Sequence, residues 1–75
     1  MIDKKTFKLS ILIPCFNEKL TIISIIDEVR KSLKKNNFLN YEIIVIDDFS
    51  SDGTTQILKN IESEKDITIF YHSQN

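Results

Sequence analysis

The chain contains a single glycine, Gly53, a single cysteine, Cys15, and a single histidine, His72. Each scarcity removes a class of function. One glycine cannot build the turn that brings a backbone close to a pyrophosphate, and the segment Pro14-Cys-Phe-Asn-Glu18 carries none at all. A dinucleotide fingerprint and a glycine-rich phosphate loop are both excluded. One cysteine permits no internal disulfide, and no Cys/His set has the spacing of a zinc site. Cys15 has no histidine near it in sequence and reads as a packed side chain rather than a nucleophile. His72 falls at a strand end or loop, with no partner set to make it a ligand or a base.

Charge and apolar length are equally sparing. The formal net charge of -1 offers no broad basic surface, and Lys31, Lys34 and Lys35 read as the solvated end of a helix, so nucleic-acid binding is not expected. Met1 to Lys8 is polar and precedes no apolar run of signal-peptide length, and no segment is long enough to span a membrane. A cytoplasmic chain, soluble or resting on a membrane surface, is the expectation. At 75 residues it is at most one small domain, near the size where a single core is only marginally stable.

What is present is a regular alternation of two periods. Leu9 to Pro14 reads as a strand ended by its proline, and residues 41–47 read as a second, whose unbroken run Ile43-Ile-Val-Ile46 suits burial on both faces. A third strand covers residues 67–72, where Ile67, Ile69 and Tyr71 alternate with Thr68 and Phe70. Between them, Ile22, Ile26, Val29 and Leu33 recur at helical spacing within residues 18–35, with Asn17 as the expected N-cap. Ile57, Leu58 and Ile61 mark a second helix over residues 53–64, with Asp52 as its cap. The order β-α-β-α-β predicts an α/β fold: a parallel sheet with right-handed crossovers, one Rossmann-like half, apparently truncated. A sheet this small, with open edges and faces, is expected to be unstable or aggregation-prone in isolation.

The second strand empties into Asp47-Asp-Phe-Ser-Ser-Asp-Gly53, and open α/β sheets bind ligands beyond the carboxyl ends of their strands. A carboxylate there can accept from ribose hydroxyls or a base N–H. Adjacent strand residues point to opposite sides, so one acid of the Asp47/Asp48 pair should face the crevice while its neighbour holds the loop; the sequence does not say which. Turn solubility alone would also account for two acids, and an Asp pair could contribute to a Mg²⁺ site that this chain does not complete. Phe16 is placed either to stack on a base or simply to pack, and Glu18 adds a further acceptor.

Together, Leu9-Ser-Ile-Leu-Ile-Pro-Cys-Phe-Asn-Glu18 and Glu42-Ile-Ile-Val-Ile-Asp-Asp-Phe-Ser-Ser-Asp-Gly-Thr54 resemble the opening of family 2 glycosyltransferases of the GT-A fold, nearest in look to the polyprenyl-phosphate (dolichyl-phosphate) mannosyl- and glucosyltransferases. The resemblance spans about Lys8 to Asn75 and implies a pocket for a UDP- or GDP-sugar. In it Pro14, Phe16 and Glu18 would line base and ribose, Asp48 would read the nucleoside, and Asp47 would support the loop. Phe16 replaces the family's usual tyrosine, keeping a stacking face and losing a hydroxyl. A full-length relative is expected to use Mg²⁺ or Mn²⁺ and a polyprenyl-phosphate acceptor. The metal-binding motif and any catalytic base of such a relative lie on later strands, so this chain is expected to be limited to nucleotide recognition. The family also tends to continue a segment like Tyr71-His-Ser-Gln-Asn75 into a glycine-containing turn, so the resemblance implies a truncated fragment or split gene over a complete enzyme.

Two other classes stay open. One is a non-catalytic nucleotide-binding module or remnant. The other is a phosphoacceptor receiver domain, which fits less well because its paired acids belong to the first strand and a further Asp to the third, where Tyr71-His72-Ser73 has none.

Overall fold

The computed structural model describes residues 7–72. The elements follow the expected order: β1 (Leu9–Cys15), α1 (Ile22–Lys35), β2 (Tyr41–Asp48), α2 (Thr54–Ile61) and β3 (Ile67–His72). The amino-terminal polar stretch 1–6 and residues 73–75, where the resemblance leads into a turn, lie outside the described part. The strands form one parallel sheet in the order β1-β2-β3, with Cys15 opposite Asp47 and Asp48 opposite His72.

Both helices contribute to a single core. Ile22 and Ile26 of α1 and Leu58 of α2 pack with Ile13, Cys15, Ile43, Val45 and Ile67. Each such aliphatic side chain contributes roughly 1.5–3 kcal/mol by leaving water. Helices on one face are what two right-handed crossovers produce when each strand is laid down on the same side of its predecessor.

That placement corrects the expected two-sided burial of the second strand. Along β2 only alternate residues, Ile43, Val45 and Asp47, are fully buried, while Ile44 and Ile46 are half-exposed on the other face. The neighbours on that face are open as well, with Leu12 60% and Phe70 55% exposed. The apolar run reflects a face that could be covered; topology decides that α1 and α2 cover only its opposite.

Element boundaries shift for identifiable reasons. β1 continues past Pro14 to Cys15, since β1 pairs with β2 alone among the described strands and a proline on such an edge interrupts no ladder. α1 begins at Ile22 rather than residue 18, because Glu18 to Thr21 forms its own turn, the Thr21 hydroxyl donating to Glu18 Oε2 at 2.7 Å. Asn17 is consequently no N-cap; Thr21 holds that position. α2 ends at Ile61 rather than residue 64, and the chain beyond it is drawn to α1 by Arg30. The Arg30 guanidinium donates to both oxygens of Asp66 (2.8 and 2.9 Å) and to Glu64 Oε1 (2.7 Å), while the Tyr41 hydroxyl donates to Asp66 Oδ2 at 2.8 Å. Hydrogen bonding to Arg30, more than any other influence, holds the Asp66 carboxyl below the usual range. This network closes the end of the sheet opposite the strand-end acids.

Candidate functional site

At the carboxyl ends of β1 and β2, the two loops are fastened across each other. The Asn17 N–H donates to Ser50 Oγ at 2.9 Å, and the Ser51 N–H donates to Asn17 Oδ1 at 2.8 Å. The Lys19 N–H donates to Asp52 Oδ2 at 3.2 Å. Asn17 and Phe49 take left-handed backbone conformations, with φ of 51° and 59°, so the clasp is built on two positions where side chains are uncommon. Asn tolerates this region because its side chain can hydrogen-bond locally; Phe49 has no such compensation and is held by the residues around it.

Asp52 also receives the Thr54 N–H at 3.0 Å and the Thr54 hydroxyl, and that hydroxyl is the main reason its carboxyl is held below the ordinary value. The expected capping of α2 is therefore made from one residue further out, with Gly53 between at φ 104°. Few side chains adopt that φ, which accounts for the chain's one glycine standing here.

The Asp47/Asp48 pair divides as strand parity requires. Asp47 faces the helices, is 1% exposed, and accepts from the Ser50 and Thr55 hydroxyls at 2.5 Å each. Asp48 faces the open side with its side chain 60% exposed, and its Oδ1 lies 3.2 Å from His72 Nδ1. Of the remaining expected site residues, Pro14 lies exposed on the same open face as Ile46, its partner in register. Phe16, just beyond β1, is 55% exposed and so keeps its ring available. Glu18 is half-buried, with one carboxylate oxygen engaged by Thr21. Adjacent β1 and β2 thus bring the two loops together.

A concavity of about 440 Å³ lies beside the acids, lined by Asp47, Phe49, Ser50, Thr55, Lys59, Tyr71 and His72. Lys59 Nζ sits 5.8 Å from the centre of the Tyr71 ring. Cys15 beneath the site is buried, and burial first, then the Asp47 charge, pushes its thiol up to about 11. A thiol so suppressed is not a nucleophile near neutrality. Among the described residues no three His, Cys, Asp or Glu side chains come together as a metal site, so the Mg²⁺ or Mn²⁺ expected of a full-length relative finds no complete ligand set here. No described helix is long and apolar enough to cross a membrane.

Three features escaped sequence reasoning. The Asn17 clasp looked like a cap, Thr55 was seen only as a helix residue, and His72 was given no partner. The strand pairing of His72 with Asp48 is the signal that could have been found, by aligning the ends of β2 and β3.

Residues 10–75 match the model of the family described as glycosyl transferase family 2. Over 68 residues the chain is 34% identical to the GalNAc(5)-diNAcBac-PP-undecaprenol beta-1,3-glucosyltransferase of Campylobacter jejuni, covering 91% of this chain and 21% of that protein. It is 39% identical over 54 residues to a dolichyl-phosphate beta-glucosyltransferase of Dictyostelium discoideum (67% of this chain, 16% of the relative). The human dolichyl-phosphate beta-glucosyltransferase is 34% identical over 59 residues (73% and 18%). The chain spans about a fifth of the length of these curated relatives. No solved structure matches it.

Proposed function

The chain belongs to glycosyl transferase family 2, and from that premise we propose that its clasped loops form the nucleoside-reading part of a sugar-nucleotide site. Phe16 offers a stacking face, Asp48 accepts from ribose hydroxyls or a base N–H, and Pro14 and Glu18 complete the wall. Asp47 acts behind them by holding the loop. The observation that carries this reading is the exposed Asp48 carboxylate, set beside a loop that its buried neighbour and the Asn17 clasp keep in place.

In the whole protein, the reaction we infer is transfer of a sugar from a UDP- or GDP-sugar to an acceptor such as polyprenyl phosphate. An acceptor oxygen attacks the anomeric carbon and the nucleoside diphosphate departs. The names of the relatives, which include a glucosyltransferase named for GalNAc(5)-diNAcBac-PP-undecaprenol and dolichyl-phosphate glucosyltransferases, support a polyprenyl-linked acceptor. A bound divalent cation would stabilise the departing diphosphate. This chain's own residues bind and orient the nucleoside, and no transfer by the 75-residue chain alone is expected.

Isothermal titration of UDP and GDP against this chain and its Asp48→Ala variant tests the assignment. Loss of an acceptor serving one or two nucleoside donors costs about 1–3 kcal/mol, which is a roughly 5- to 150-fold weaker Kd. An Asp48→Ala affinity equal to that of the parent would remove Asp48 from the site.

A further inference from the structure

We propose that His72 positions Asp48 to receive a nucleoside's donors; the proposal rests on the nucleotide reading above. Asp48 and His72 are partners in the parallel register of β2 and β3, so their side chains rise from the same open face of the sheet. Nδ1 of His72 lies 3.2 Å from Asp48 Oδ1, and no other donor among the described residues reaches that carboxylate. Both side chains stay more than half exposed, at 57% and 60%, so a ligand can reach the pair.

In the neutral ring, an Nδ1–H donated to Oδ1 fixes the tautomer and the carboxylate's orientation, leaving Oδ2 for a ligand donor. The carboxylate keeps its full charge, and hydrogen bonds to a charged acceptor are roughly twice as strong as neutral ones.

Other charges facing His72 do not reproduce this effect. Asp47 lies on the helix side with both oxygens taken by Ser50 and Thr55. Lys59 of α2 lines the same concavity and lies over the Tyr71 ring. Tyr71, which donates to Glu62, has its phenol pushed up to about 12 by burial first and then by that bond. None of these, among the described residues, takes the place of His72 at the Asp48 carboxylate.

The test uses the full chain with two readouts. Nitrogen NMR of the only histidine should place the neutral ring's proton on Nδ1 in the parent and release it to Nε2 in Asp48→Ala, which removes the acceptor. Titrations of UDP and GDP at about pH 8 should show a Kd about fivefold weaker for His72→Ala than for the parent, and largely recovered in His72→Gln, which keeps an N–H donor. A neutral ring protonated on Nε2 in the parent, or a His72→Ala Kd equal to the parent's, overturns the proposal while leaving the nucleotide reading intact. Absence of UDP and GDP binding by the parent overturns both together.

Discussion

Replacing Asp47 by alanine should destabilise the fold far more than replacing its neighbour Asp48, although the two acids are adjacent and chemically identical. The Asp47 carboxylate is 1% exposed and accepts two hydroxyl hydrogen bonds, from Ser50 and Thr55, while Ser50 in turn receives the Asn17 N–H. Hydrogen bonds to a charged group are worth about 1.5–3 kcal/mol each. Ser50 and Thr55 are only half-buried and can turn partly to water, which puts the combined loss near the lower end, about 2–3 kcal/mol. For a domain of this size each kcal/mol lowers Tm by about 4–8 °C, so Asp47→Ala should melt on the order of 10–20 °C below the parent. Asp47→Asn keeps the shape, an acceptor for Ser50 and a donor toward Thr55 Oγ1, and should lose about half as much. Asp48→Ala removes an exposed carboxylate and should stay within about 0.5 kcal/mol of the parent. Circular dichroism during thermal and urea unfolding measures all three. Equal losses for Asp47→Ala and Asp48→Ala, or an Asn variant as damaged as the Ala variant, would refute the division of labour between the two acids.

Two further outcomes are expected from the opposite end of the sheet and from the turn into α2. Because Arg30 holds the Asp66 carboxyl below its ordinary value, the unfolded chain takes up that proton first on acidification. Stability from this group is full above about pH 4 and is lost as pH falls through the folded-state value. Asp66→Asn should therefore cost about 1–2 kcal/mol near neutrality, with the gap to the parent closing in urea titrations below pH 4. Gly53→Ala meets only the flexible Lys19 side chain, at 3.4 Å, yet φ of 104° is strained for any side chain. Its expected cost is about 1–2 kcal/mol from backbone strain alone, and shortening Lys19 to Ala in the same chain should restore none of it in thermal melts.

Strands, helices and their order could be read directly from side-chain period, because β-branched runs and i, i+4 stripes are local properties. Whether β2 is covered on one face or two is not local. Ile44 and Ile46 carry the same chemistry as Ile43 and Val45, and only the hand of the crossovers decides which set is buried. The strand-end position of the two acids and their opposite directions were equally legible, since both follow from the strand itself; which of them faces the helices was not. Asn17 was misread because an Asn ahead of a helical stripe is also what an N-cap looks like. Its real partners, Ser50 and Ser51, come from the other loop and meet it only after β2 has paired with β1. His72 belongs to the same class, a residue whose role depends on register across the sheet and not on its neighbours in sequence.

The spatial sequence β1-β2-β3 repeats the order in which the ribosome makes the strands. No strand must wait for a later one to fill a gap between itself and its partner, so each can dock on a preformed edge as it emerges, after closing a loop of a few tens of residues. The clasp between Asn17 and Ser50 needs nothing beyond the loop after β2. Asp47 can therefore be locked while β3 is still being synthesised, whereas Asp48 gains its imidazole neighbour only when the last described strand arrives. The candidate site is assembled in two steps, framework first and the residue beside its exposed acid last.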